Sequence, residues 1–246
     1  MLKFFRQIRK KLLTENRFSQ YLVYAIGEIF LVVIGILIAL QVNNWNENLK
    51  TKAEEKKILL ELKEGFTSDL EDLSFNAMIM NAATKSCATL IDHIDETLPF
   101  HDSLKIHFAG SIFRTRFISN SGPYEALKSK GLELISNDTL RNKIVKMHDF
   151  YFETIKTFEN GETLSDNYLI DFCTKHFDVV QMVTVNKTDE IVGGKMTPLD
   201  YEALKQNAEY KTLLKTAKTQ NELLVYRLND ICKKLEILID TIDKNV

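Results

Sequence analysis

Side chains able to do chemistry are densest between residues 92 and 107, which hold Asp92, His93, Asp95, Glu96, His101, Asp102 and His107. Imidazoles and carboxylates are the ligand types of a divalent metal, and the same groups serve general acid–base catalysis. A metal needs its ligands to converge at about 2 Å, and a helix brings two to one face as HxxxH or ExxH pairs. Neither pair occurs in this stretch, so it reads as a solvated helix end. Cys173-x-x-His176 is half of a zinc motif without its other half. No Gly-rich phosphate loop, GxSxG elbow or Ser–His–Asp constellation can be read. Arg114 and Arg116 are too few to form a nucleic-acid surface. The expectation is a chain that is not an enzyme, with no cofactor, no metal site and no nucleic-acid partner.

One ionisable group stands apart. Glu28 is the only charge in Tyr21–Val42, YLVYAIGEIFLVVIGILIALQV, in which fourteen residues are Leu, Ile, Val or Phe. A helix of this length rises roughly 33 Å, enough to cross a hydrocarbon core of about 30 Å. The fourteen apolar side chains favour insertion by on the order of 6 kcal/mol in total, against roughly 3 kcal/mol for one acidic residue near the centre. Residues 21–42 are therefore read as a transmembrane helix, and the lipid bilayer as the first partner. At 100° per residue Glu28 shares a face with Gly35 and Ala39. Small residues four apart let another helix approach closely, and an intramembrane carboxyl is best placed facing such a neighbour. A protein partner or a second copy at this face is expected.

Orientation follows from charge. Residues 1–20 carry Lys3, Arg6, Arg9, Lys10, Lys11 and Arg17 against Glu15 alone, in a chain whose net charge is −2. Basic residues stay on the cytoplasmic side, so the N-terminus is expected inside and residues 43–246 outside, in the periplasm. The apolar run is too long for a signal peptide and lacks a small-x-small cleavage site, which makes it an uncleaved signal anchor. Leu2, Phe5, Ile8 and Leu12 alternate with the basic residues at helical spacing, the pattern of an amphipathic segment on an anionic leaflet. Trp45 follows the span, where an amphipathic ring anchors the outer interface.

Tyr24–Glu47, YAIGEIFLVVIGILIALQVNNWNE, with the basic stretch before it and a fainter echo in Tyr124–Arg141, resembles the N-terminal signature of an uncharacterised family. That family comprises single-pass membrane proteins from Gram-negative bacteria and is catalogued as a domain of unknown function. The resemblance implies an inner-membrane anchor with a helical periplasmic region, and supplies no activity.

The elements beyond the span read as all-α. Nine Gly and three Pro in 246 residues leave room for long helices. Leu59, Leu62, Phe66, Leu70, Leu73, Ala77, Met80, Thr84, Cys87, Ile91, Ile94 and Leu98 follow steps of three and four, a helix ended near Pro99 and bent at Gly65. Tyr210 to Ile242 repeats the pattern through Asn221, Leu228 and Leu235. Levelled antiparallel at Leu98 and Ala208, the two place Cys232 beside Ser74 and keep Cys87 too far from it to be bridged. The stripes are too wide for a two-stranded coiled-coil seam and predict an elongated bundle continuing from a stalk. Between them the spacing predicts helices over Ser103–Phe117, over Pro123 to Gly131, from a Ser136 cap to a stop at Gly161, and over Thr163–Phe177. One small hairpin or irregular loop falls near 179–195, and a short helix starts at Thr197-Pro198. Two readings of function result: a non-catalytic interaction, scaffold or sensor-like module, or a subunit of a proton-driven membrane complex using Glu28.

Overall fold

The computed structural model describes residues 18–178, 183–185 and 191–246. The amphipathic stripe of residues 1–17 lies outside the described residues. Contacts divide the chain into two units, Met1–Glu55 and Lys56–Val246. The protein is all-α apart from one small hairpin.

Helix α1, Phe18–Asp95, contributes to both units and has no break at Gly65. In the first unit none of its apolar window is buried among the described residues. Among the described residues it is the one helix long and apolar enough to cross a membrane. The remaining elements belong to the second unit. They are α2 (Leu104–Ser111), α3 (Gly122–Lys130), a 3-10 turn (Leu132–Leu134), α4 (Asp138–Lys146), a π turn (Met147–Phe152) and α5 (Glu153–His176). Strands β1 (Val183–Val185) and β2 (Ile191–Gly193), α6 (Tyr201–Gln206) and α7 (Ala208–Asp243) complete it.

The second unit is built on an antiparallel pair, α1 from Lys56 onward and α7. Lys63 Nζ meets Asp243 Oδ1 at 2.6 Å, Ser74 Oγ lies 3.7 Å from Cys232 Sγ, and Lys211 Nζ meets Asp95 Oδ1 at 2.5 Å. Each step up one helix is matched by an equal step down the other, in the register expected from the sequence. All ten residues of the α7 stripe, Asn221 included, are buried. Cys87, Cys173 and Cys232 are free and buried.

Two apolar clusters fill the bundle. The first gathers Leu59, Phe66 and Leu73 with Leu127, Ile144, Phe152, Leu228 and Leu235. The second gathers Cys87, Ile94, Phe108, Phe172, Tyr210 and Leu214. On α7 they are divided at Asn221, whose amide oxygen and nitrogen find no hydrogen-bond partner among the described residues.

Several boundaries differ from the sequence reading. Gly65 supports close packing instead of a bend: a Cβ there would sit 3.3 Å from Pro123 Cγ. Asn137, not Ser136, caps α4, accepting from the Thr139 and Leu140 amides. Helix α5 runs through Gly161 without stopping, a mid-helix glycine costing only about 1 kcal/mol. Asp200, not Thr197, caps α6 through the Ala203 amide. Gly131 ends α3 as expected, with φ 102°, a conformation a Cβ would strain. The hairpin pairs Val183 with Gly193 and Val185 with Ile191, and the expected NKTDE turn lies outside the described residues.

Candidate functional site

Polar chemistry in the second unit gathers at two places that the sequence did not single out. The first is the connection between α2 and α3, residues 113–121, expected to be helical as far as Phe117. Its backbone amides are taken by side chains of α1 and α5 instead. Asn120 N donates to Asp69 Oδ1 at 2.6 Å, Ile118 N to Asp72 Oδ2 at 3.3 Å and Phe117 N to Glu159 Oε1 at 3.0 Å. Thr115 Oγ1 donates to Asn76 Oδ1, and Asn76 Nδ2 to Asp72 Oδ2 at 3.2 Å. Clamped so, the strap buries Phe117 and leaves Ile118 82% exposed. Asp69 is buried, and its Oδ2 has no hydrogen-bond partner among the described residues. Burial pushes its carboxyl up to about 6, opposed by the Asn120 amide and reinforced by Asp72. Glu159 is likewise raised by burial.

The second place is the π turn. A π turn inserts one residue into the helical repeat, and here it lets Met147 and His148 both reach the core. The His148 ring stacks on Tyr124 at 4.1 Å and 4°, and lies 5.3 Å from Phe66 and 5.0 Å from Phe152. Burial among these rings holds His148 down at about 4, against the pull of Asp149 and Glu125. Tyr124 Oη donates to Asp149 Oδ2 at 2.9 Å, fixing that carboxylate at the lip of an open groove. The groove is about 660 Å³ and has α5 on one wall and α7 on the other.

The residues singled out from sequence are scattered. Glu28 is half-buried, Ala39 is exposed, and nothing lies within 4 Å of the Cβ position at Gly35. Trp45 is 64% exposed. The 92–107 cluster does not converge. His93 Nε2 is 2.8 Å from Pro99 O, and His101 Nδ1 is 2.8 Å from Ser103 Oγ. His107 Nδ1 is 3.4 Å from Ser86 Oγ, while Asp95 and Asp102 pair with Lys211 and Lys105. Among the described residues no three His, Cys, Asp or Glu side chains are placed to hold a metal ion. Cys173 is buried in the second cluster, and His176 stacks on Phe172 at 4.1 Å.

The end of α1 carries the one non-glycine residue with positive φ among the described residues, Thr97 at 55°. Thr97 N donates to Ile94 O and Leu98 N to His93 O, the paired bonds of a Schellman cap. Tyr201 Oη donates to Leu98 O at 3.3 Å and holds the turn.

Comparison with known proteins adds one relation. A family model described as a family of unknown function (DUF6090) matches residues 28–197, more than half of the chain. No curated protein and no solved structure matches it.

Proposed function

We propose, from the premise that this chain belongs to the DUF6090 family of unknown function, that it is a membrane-anchored, non-catalytic helical module. In this reading residues 21–42 span the inner membrane of a Gram-negative bacterium. The basic residues 1–20 stay in the cytoplasm, and 43–246 form a periplasmic bundle that acts as an interaction, scaffold or sensor-like subunit. The observation that carries it is the apolar window of α1, none of which is buried among the described residues. Such a surface is stable in hydrocarbon and a liability in water. The charge asymmetry across the span supports the orientation.

The partner docks on the Gly35–Ala39 side of the membrane helix, with Glu28 on the same face. Single cysteines along Leu31–Leu40 test this by crosslinking in native membranes. Crosslinks recurring at the helical period on the Gly35–Ala39 side are expected, and crosslinking that is absent or equal on all faces overturns the packing surface. A phosphatase fused to the C-terminus, active only outside the cytoplasm, reports orientation; a silent fusion overturns the topology. Glu28→Gln separates a hydrogen-bonded contact, which survives, from a subunit of a proton-driven complex, which does not.

A further inference from the structure

The groove between α5 and α7 is suited to a ligand, and its polar groups decide which kind. The volume, about 660 Å³, is that of a small-molecule site. Its apolar surface comes from Phe150, Phe158 and Leu223, and its polar rim from Asp149, Glu153, two threonines and Gln220. Phe150 is 57% exposed and Leu223 44% exposed, each a large side chain left in water beside the other wall. The π turn puts Phe150 there by giving Met147 and His148 the core positions.

On the α5 side the rim has a single polarity, and across the groove α7 contributes the neutral Gln220 amide. Thr154 Oγ1 donates to Phe150 O at 2.6 Å and Thr157 Oγ1 to Glu153 O at 2.8 Å. Each hydroxyl has spent its proton and can only accept from a ligand. Asp149 and Glu153 accept as carboxylates, and Asp149 is held in place by the Tyr124 hydroxyl. Lys156 engages Glu153 Oε1 at 2.7 Å and no lysine or arginine is among the lining residues, so the two carboxylates still leave this wall with net negative charge. His148, packed behind Asp149, adds no opposing charge near neutral pH because burial keeps it unprotonated.

The geometry points to a binding site for a small organic cation with an aromatic or compact apolar body and an N–H-bearing ammonium head. The body lies against Phe150 and Leu223. The head donates to Glu153, Asp149 and the threonine oxygens, with the Phe150 ring available for a cation–π contact. An anionic ligand would face two carboxylates across the groove from the uncharged Gln220 amide, and a neutral one would forgo the charge-assisted bonds.

Three probes sharing a phenyl ring on a two-carbon arm test this: phenethylammonium, 2-phenylethanol and 3-phenylpropionate. Each is titrated by saturation-transfer NMR against the full chain in zwitterionic lipid nanodiscs, with empty nanodiscs subtracted. The cation should bind about tenfold or more tighter than the alcohol, as a charge-assisted hydrogen bond implies, and the carboxylate weakest of all. Glu153→Gln should weaken the cation several-fold and leave the alcohol unchanged. Phe150→Ala and Leu223→Ala, on opposite walls, should each weaken both. Circular dichroism checks that each variant folds, and either wall variant suffices should the other not fold. Equal binding of the three probes, or cation binding indifferent to Glu153→Gln and to both wall variants, overturns the site.

Discussion

Burial shifts Asp69 and His148 in opposite directions, and the pH dependence of stability should expose both. Asp69 rises from its ordinary 3.8 to about 6. A raised carboxyl binds its proton more tightly when folded, so its contribution is fully present below 3.8 and is lost as pH climbs through 6. The rise is equivalent to about 3 kcal/mol, which solvent screening of a carboxyl beside a surface strap reduces to about 2 kcal/mol. His148 falls from 6.5 to about 4. Its contribution is present above 6.5 and is lost as pH drops through 4, by about 3 kcal/mol. Between pH 4 and 6 the two slopes oppose, and the parent protein should vary by only about 1 kcal/mol. Raised Glu159 acts with Asp69, and lowered Asp95 and Asp102, both on the surface, act with His148. The assay is urea unfolding of the full chain in detergent, followed by far-UV circular dichroism at pH 4, 5, 6 and 7. Asp69→Asn keeps an acceptor for the Asn120 amide and removes the titration, so stability should climb by about 3 kcal/mol across the window. His148→Phe keeps a ring between Tyr124 and Phe66, and stability should then decline by about 2 kcal/mol. Two single variants with the parent's flat profile would refute the opposition.

Thr97→Gly should stabilise the bundle by about 1 kcal/mol, since the Schellman position strains a β-branched residue by about 1–2 kcal/mol and glycine returns part of that as entropy; an unchanged melting temperature would show no strain at Thr97. A Cβ at Gly110 would lie 2.6 Å from Ser86 Oγ, so Gly110→Ala should cost about 1–3 kcal/mol. Ser86→Ala removes that oxygen and should recover much of the loss in the double variant; simple additivity in melting curves would place the strain elsewhere.

The sequence was most legible where a helix buries a stripe against one partner. Every step of three or four from Tyr210 to Ile242 reached the core, and the expected neighbours Ser74 and Cys232 lie side by side. That success follows from periodicity, a local property. What escaped depends on residues far apart. Asp69 meets Asn120 across 51 positions, and Phe117 meets Glu159 across 42. A residue holding such a strap looks like an ordinary polar interruption of an apolar stripe, as Asp69 and Asn76 do. The π turn shifts the buried face by one residue and so hides the groove from any helical count. One signal was available in the sequence, the adjacent aromatics Phe150-Tyr151-Phe152, yet it does not say what packs behind them. The membrane face of Glu28, Gly35 and Ala39 remains a reading of the helical wheel.

The family match ends at residue 197, before α6 and α7, while the fold needs α7 throughout. Eleven residues of α7 are buried, from Tyr210 to Ile242, and all but Asn221 enter one or the other apolar cluster. Burying a large apolar side chain is worth about 1.5–3 kcal/mol, and Leu214, Leu224, Leu228, Ile231, Leu235, Leu238 and Ile242 alone exceed about 10 kcal/mol. That is as large as the whole stability of an ordinary domain, about 5–15 kcal/mol. A chain cut after Asn207 should therefore lose the bundle while keeping its membrane helix. Pulse alkylation reads the outcome directly, because Cys87 and Cys173 are buried in the second cluster. Both should react at once in the truncated protein and stay protected in the full chain. A synthetic peptide of residues 208–246 added to the truncated chain should restore protection, since nothing covalent joins α7 to the core except the loop at Asn207. Persistent protection without α7 would mean that the matched segment closes its own core, and that the pairing of α1 with α7 is dispensable.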